Sequence, residues 1–178
     1  MIVQVRGTSG SGKTWVMREV MRALGERTLE VFTRGRKNPL WYHYGMTTVL
    51  GHYEATCGGC DNIGSARQVF EVIQMVLPQC SHILCEGLLL SEDVKWTSQL
   101  DDVHVLYLTT PVEQCIAQIK KRREEAGNEK PLNEANTRNR VAVIERSRVK
   151  LLALGVDCRR VSARQAPGTI LKLLQLHA

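Results

Sequence analysis

The stretch GTSGSGKT, residues 7–14, decides how the rest of the chain is read. It sets Gly7, four residues, then Gly12, Lys13 and Thr14. Before it runs IVQV (2–5), which reads as a short buried strand. After it, Val16, Met17, Val20, Met21 and Leu24 recur at helical spacing over 13–24 until Gly25 ends the pattern. Strand, glycine-rich turn and helix in that order make a phosphate-binding loop. Gly7, Gly10 and Gly12 allow the backbone angles that turn N–H groups inward, so the loop from Gly7 through Thr8, Ser9, Gly10 and Ser11 to Gly12 forms a nest for phosphate oxygens. The helix adds its positive end. Lys13 reaches the β- and γ-phosphates, and the Thr14 hydroxyl is placed to ligate Mg²⁺. A chance match, a glycine-rich turn that happens to hold a lysine, is expected in roughly one chain in a hundred of this length. The expected ligand is a nucleoside triphosphate, ATP, with Mg²⁺.

Outward from the loop, segments alternate. Strands are expected at TLEVFT (28–33), TTVLG (47–51), HILCEG (82–87), VHVLYL (103–108) and VDCRRV (156–161). Helices are expected at 65–77, with Ser65 as cap and Pro78 after its end, at 111–124, at 134–154, and from about Ala166 onward. This alternation predicts an α/β fold in three layers, a parallel five-stranded sheet flanked by helices, in one domain over residues 1–178. Glu86, ending the apolar strand at 82–87, stands where phosphate-loop proteins set the acid that holds Mg²⁺ or its water. VLYLTT (105–110) is followed by PVEQC rather than an NKxD-like guanine-reading segment, which counts against a GTPase. At 178 residues the chain is too short for the lid and signature segments of ring or transporter ATPases.

Composition bounds the setting. The hydrophobic fraction is 43%, with 24% charged residues, which is globular composition. No apolar run approaches the roughly 20 residues that span a bilayer, and MIVQVRGTSG lacks the features of a signal peptide. A cytoplasmic protein with its six cysteines as thiols is expected. The net charge of +6 is segregated: residues 54–119 carry nine acids and two bases, residues 120–150 ten bases and five acids, and residues 31–53 hold Arg34, Arg36 and Lys37 with no acid. A solvated helix face explains such a segment as readily as a polyanionic partner does.

Residues 111–150 contain a helix ending in KKRR (120–123), a polar loop and a second basic helix. The arrangement resembles the lid of small P-loop kinases of the nucleoside-monophosphate-kinase-like group, over about 120–140. The resemblance implies arginines that close over the transferred phosphate, with Arg122 and Arg123 first and Arg138 and Arg140 behind them. It also places SARQAP (162–167) where these kinases pack a loop on the adenine.

HYEATCGGCDNIGS (52–65) poses the remaining question. His52, Cys57 and Cys60 give three donors at H-x4-C-x2-C, one fewer than a structural zinc site wants. A redox CxxC normally opens a helix and carries bulkier residues than Gly58 and Gly59. The third reading, a tight loop whose glycines allow close approach, presents Glu54 and Asp61 from either side. Because Cys80, Cys85, Cys115 and Cys158 follow no ligand spacing, no structural zinc is expected, and the resemblance to small P-loop kinases implies that this segment is the acceptor loop. Upstream, RGRKNPLWYHYG (34–45) mixes Arg34, Arg36 and Lys37 with Trp41, Tyr42 and Tyr44, the cations and aromatic faces of nucleic-acid recognition; the plainer reading is a hydrophobic strand beside a basic turn.

RGTSGSGKT (6–14), GHYEATCGGCD (51–61) and CEGLLLS (85–91) together resemble a bacteriophage-encoded group of small P-loop kinases that includes the 5-hydroxymethyluridine DNA kinases. That resemblance implies an ATP-dependent phosphotransferase acting on a hydroxyl of DNA, in the host cytoplasm, in DNA hypermodification. A free nucleoside or nucleotide kinase and a regulatory nucleotide-binding module are the competing readings. For the base that takes the acceptor's proton, Asp61 is placed first, then Glu54, with Glu86 better suited to the metal. The oligomeric state is left open.

Overall fold

A computed structural model describes residues 1–32, 37–55, 58–87, 92–128 and 130–176. Its strands are β1 (Ile2–Arg6), β2 (Leu29–Val31), β3 (Trp41–Tyr44), β4 (Thr47–Leu50), β5 (His82–Glu86), β6 (Val103–Leu108) and β7 (Asp157–Val161). Its helices are α1 (Lys13–Leu24), α2 (Ala66–Val76), α3 (Asp93–Thr97), α4 (Val112–Glu125), α5 (Glu134–Ala153) and α6 (Ala166–Leu176). All seven strands form one sheet in the order β2-β3-β4-β5-β1-β6-β7.

From β4 to β7 the pairing is parallel, with β1 in the middle, Ile2 beside both Ile83 and Val103. The sheet is therefore not the expected parallel five-stranded one but a mixed sheet of seven, in which the expected strand at 28–33 is the antiparallel edge strand β2. The correction lies at one edge, where β3 pairs antiparallel with β4 and β2 antiparallel with β3. The turn at Gly45–Met46 makes this possible: Gly45 takes φ 57°, and β3 and β4 pair directly as a hairpin.

Strand alternation sorts the core into two layers. Val3, Val5, Leu84 and Leu106 face α1 and α6, meeting Val16, Met17, Val20, Ile170 and Leu173. Ile2, Ile83, Val103 and Val105 face the other way, meeting Val69, Ile73 and Leu151 of α2 and α5. Both faces of the central strands are covered, so they read as continuous apolar runs rather than alternating ones. Ser65 caps α2, its hydroxyl accepting from the Gln68 N–H at 3.2 Å, as the sequence indicated.

One polar cluster lies within this core. Arg6, ending β1, is 3% exposed and donates to Asp93 at 2.5 Å and to Gln4 at 2.6 Å, while the Ser147 hydroxyl of α5 donates to Asp93 at 3.2 Å. Burial alone favours loss of the Arg6 charge, but Asp93, helped by Cys85, Tyr107 and Cys60, holds the guanidinium above its ordinary pKa. The pair ties α3 and α5 to the strand that leads directly into the phosphate loop. Removing one partner leaves the other buried and uncompensated, so Asp93→Ala is expected to cost about 3–5 kcal/mol of unfolding free energy. Chemical denaturation at neutral pH measures this, with Asp93→Asn losing less because it keeps an acceptor.

Candidate active site

The phosphate loop joins β1 to α1 at the C-terminal end of the parallel strands. Gly12 caps α1 with φ 95°, a left-handed angle that L side chains rarely adopt, and Val16 N–H bonds to its carbonyl at 2.9 Å. The first turn of α1 holds no acid, so the helix's positive end is not neutralised from within. Lys13 is buried and folds across the loop, donating to the Thr8 carbonyl at 3.2 Å.

The Thr14 hydroxyl donates to Glu86 Oε1 at 2.8 Å, joining the start of α1 to the end of β5. Glu86 is 2% exposed. Burial pushes its carboxyl up to about 7; Lys13 and Thr14 oppose that rise, and Asp61 adds to it. These groups line a cleft of about 140 Å³ together with Gly58 and Arg122. Five residues expected to serve the chemistry or the metal, Lys13, Thr14, Asp61, Glu86 and Arg122, therefore stand around one space.

The chain reaches that cleft through backbone that carries no side chain. A methyl group on Gly59 would stand 2.5 Å from Glu86 Cδ, and Gly59 takes φ 83°. A methyl on Gly58 would stand 2.5 Å from the His52 carbonyl. Gly59 N–H donates to that carbonyl at 2.8 Å, closing the excursion from 52 to 59. Asp61 follows in a short 3-10 turn at Cys60–Asn62.

Thr56 and Cys57 lie outside the described residues, as do Arg34 and Arg36. Cys60 is fully buried and points into the core, its thiol against that of Cys85 and 3.9 Å from the Leu50 carbonyl. The His52 ring turns elsewhere, with Nδ1 2.7 Å from Glu54 Oε2 and 3.1 Å from the Tyr42 hydroxyl. Cys60 and His52 thus do not converge. Among the described residues no group of three or more His, Cys, Asp or Glu could hold a metal ion.

Other candidates are placed away from the cleft. Glu54 receives Arg27 at 2.7 Å and the Tyr42 hydroxyl. Partial burial pushes its carboxyl up, but these two hydrogen bonds win and hold it below the usual range. Its cationic partner is Arg27. Trp41, Tyr42 and Tyr44 belong to β3 and are 6%, 0% and 8% exposed, so their rings pack in the sheet layers rather than offering faces to solvent. Lys37 is exposed. Arg123 donates to the Lys130 carbonyl at 2.9 Å, Arg138 grips Glu113 through two bonds of 2.5 and 3.0 Å, and Arg140 is exposed on α5. Of the expected lid arginines, Arg122 is the one that lines the cleft.

Gln118 and Trp15 also line the cleft and were not anticipated. Gln118 sits one helical turn before Arg122 on α4, a spacing that could have revealed it. The loop after β7 closes through Gln165 N–H to the Ser162 carbonyl at 3.1 Å, and Ala163 lies against Gly12, 3.4 Å from where a methyl group would project. Residues 162–165 therefore stand beside the phosphate loop.

No family model matches the chain. It is 33% identical, over 184 aligned positions, to the 5-hmdU DNA kinase of Pseudomonas phage PaMx11, spanning 98% of this chain and 97% of that protein. The chain belongs to the 5-hmdU DNA kinase family. The 5-hmdU DNA kinase of Pseudomonas phage M6 is 29% identical over 171 positions, 89% of each chain. Among solved structures, the deoxyadenosine kinase from M. mycoides with bound dATP superposes with a TM-score of 0.52 at 18% identity, covering 98% of this chain and 100% of that one. At that identity the likeness is one of fold. This family member has the kinase α/β fold.

The Glu86 environment gives a measurable signature. Its folded-state pKa of about 7 lies above the ordinary 4.5, so its contribution to stability is complete below about pH 4.5 and is lost as pH rises through about 7. In metal-free protein, Glu86→Gln is expected to exceed the parent in stability at pH 8 by on the order of 1–3 kcal/mol. The difference should vanish near pH 4.5, where the parent's carboxyl is protonated, as denaturation across that pH range would show.

Proposed function

We propose that this kinase transfers the γ-phosphate of ATP to the 5-hydroxymethyl group of 5-hydroxymethyluracil in DNA, in the cytoplasm of a phage-infected host. The observation that carries the proposal is identity to a 5-hmdU DNA kinase along almost the whole chain. The cleft supports it, since it gathers the groups that such a transfer requires. Lys13 and the N–H groups of the phosphate loop hold the β- and γ-phosphates. Arg122 also lines the cleft, where a cation stabilises charge on the phosphoryl group in a loose transition state.

The Thr14 and Glu86 oxygens, 2.8 Å apart, are hard donors of the kind Mg²⁺ takes. A cation beside them would also relieve the buried Glu86 carboxylate, so the residues present fit the ion. When bound, Mg²⁺ supplies positive charge that neutralises the β- and γ-phosphate oxygens. Asp61 serves as general base. It lines the cleft with Lys13 and Glu86, whereas Glu54 does not. The acceptor oxygen attacks the γ-phosphorus as its proton passes to the Asp61 carboxylate, the bond from phosphorus to the ADP oxygen breaks, and a phosphate monoester remains on the base. Gly58 and Asp61 supply the acceptor side of the cleft. In this reading the stretch around them binds no structural zinc, and Cys60 belongs to the core.

The basic surplus over residues 120–150 supports a polyanionic acceptor. No helix among the described residues is long and apolar enough to cross a membrane.

Transfer of labelled γ-phosphate to a panel of acceptors tests the proposal: plain DNA, 5-hydroxymethyluracil DNA, RNA ends and free nucleosides. Label is expected on 5-hydroxymethyluracil DNA alone. Folded Lys13→Ala should lose that transfer by several powers of ten, at about 1.4 kcal/mol of barrier for each tenfold. Preferential labelling of free nucleosides would overturn the DNA acceptor, and full activity of folded Lys13→Ala would overturn the phosphate-loop mechanism.

A further inference from the structure

Helix α1 does more than open at the phosphate loop. One turn beyond Thr14 it carries Arg18, which is half-buried and reaches sideways out of the helix. Arg18 Nε donates to the Tyr53 carbonyl at 2.9 Å, and Nη2 donates to the Ala55 carbonyl at 2.6 Å. Both acceptors belong to the excursion that begins at His52 and closes at Gly59, where the two backbones bond at 2.8 Å. The next residues in the chain are Cys60, anchored in the core, and Asp61, at the cleft.

We propose that Arg18 is a positioning residue that fixes the acceptor loop to the helix holding the nucleotide. This rests on reading the loop that delivers Gly58 and Asp61 to the cleft as its acceptor side. Arg18 and Thr14 lie four residues apart on α1, on one side of the helix. Thr14 bonds Glu86 and Arg18 bonds the loop that leads to Asp61, so both are referenced to one rigid element. The two roles need different chemistry. A hydroxyl suffices for one carboxylate oxygen, whereas two carbonyls two residues apart need a planar fork with donors in fixed directions. Lysine can satisfy one of them at a time. Ala55 is exposed, so water can replace the guanidinium there. Losing Arg18 frees the loop at Ala55 and removes the donor to the carbonyl of Tyr53, which is 3% exposed, so exchange rates separate an effect on acceptor placement from one on folding.

The test compares Arg18→Ala, Arg18→Lys and, as control, Arg22→Ala. Arg22 lies one turn further along and pairs with Glu19 at 2.6 Å. Steady-state transfer to 5-hydroxymethyluracil DNA is measured with hydrogen exchange on the wild type, with and without that DNA, and on each variant. In the wild type, the DNA should protect peptides covering residues 52–55 and 58–61. Arg18→Ala should raise the acceptor KM about tenfold or more, as expected for two lost hydrogen bonds from a charged donor, and should lower kcat while leaving ATP affinity unchanged. Its exchange should quicken in the loop but not in α1, Arg18→Lys should fall between, and Arg22→Ala should match the wild type. DNA protection of the loop with an unaltered acceptor KM in Arg18→Ala would overturn the clamp and leave the acceptor-loop reading standing. Absence of DNA protection there would overturn both. An equal loss of ATP and DNA affinity, with faster exchange throughout α1, would assign Arg18 to the fold.

Discussion

The hydrogen bond from Thr14 to Glu86 is the contact on which the site depends. It joins two elements that the sequence separates by 72 residues, and it does so where the parallel strands end. Its partners are constrained from both sides. Thr14 is fixed because Lys13 and Thr14 begin a helix that Gly12 alone can start at that angle. Glu86 is fixed because it ends a strand paired with β1 on one side and β4 on the other. The carboxylate is buried, so it is held at a cost that a bound cation would relieve.

Around that contact the molecule packs backbone without side chains. Gly59 brings the main chain against Glu86, and Gly58 sits beside Thr14 and against the His52 carbonyl, so that a methyl group at either would meet Glu86 or that carbonyl at 2.5 Å. The same closeness carries Asp61 to the cleft wall. The paired glycines of the CGGC segment thus make room for a carboxylate already present, and Cys60 turns inward to help anchor the loop in the core.

The phosphate loop, the flanking α1, the Ser65 cap and the acid at the end of β5 were legible in the sequence, because each rests on local chemistry at fixed spacing. The meaning of 41–44 was harder to read. Aromatic residues beside a basic turn have the composition of a nucleic-acid surface, and pairing with β4, a tertiary event, puts them in the sheet instead. Arg27, the partner of Glu54, was equally hidden, since β2 and the residues before it meet the loop at 52–55 only after the hairpin folds. Helix α3 escaped notice because five residues are too few for a helical period to show. The lid arginines divide by their partners: Glu113 draws Arg138 aside, the Lys130 carbonyl holds Arg123, and nothing in the spacing of the basic run foretold that Arg122 would line the cleft.

The central claim is that the hydroxyl meets the γ-phosphate beside Asp61, in the cleft that Thr14 and Glu86 define. Single-turnover transfer by Asp61→Asn and Glu54→Gln, each saturated with ATP and 5-hydroxymethyluracil DNA, tests it most directly. Loss of a general base lowers the rate by about 10² or more, so Asp61→Asn should be slowed to that extent while Glu54→Gln stays near the wild-type rate. A near-normal rate in Asp61→Asn beside a collapse in Glu54→Gln would contradict the account and place the chemistry on the other side of the loop.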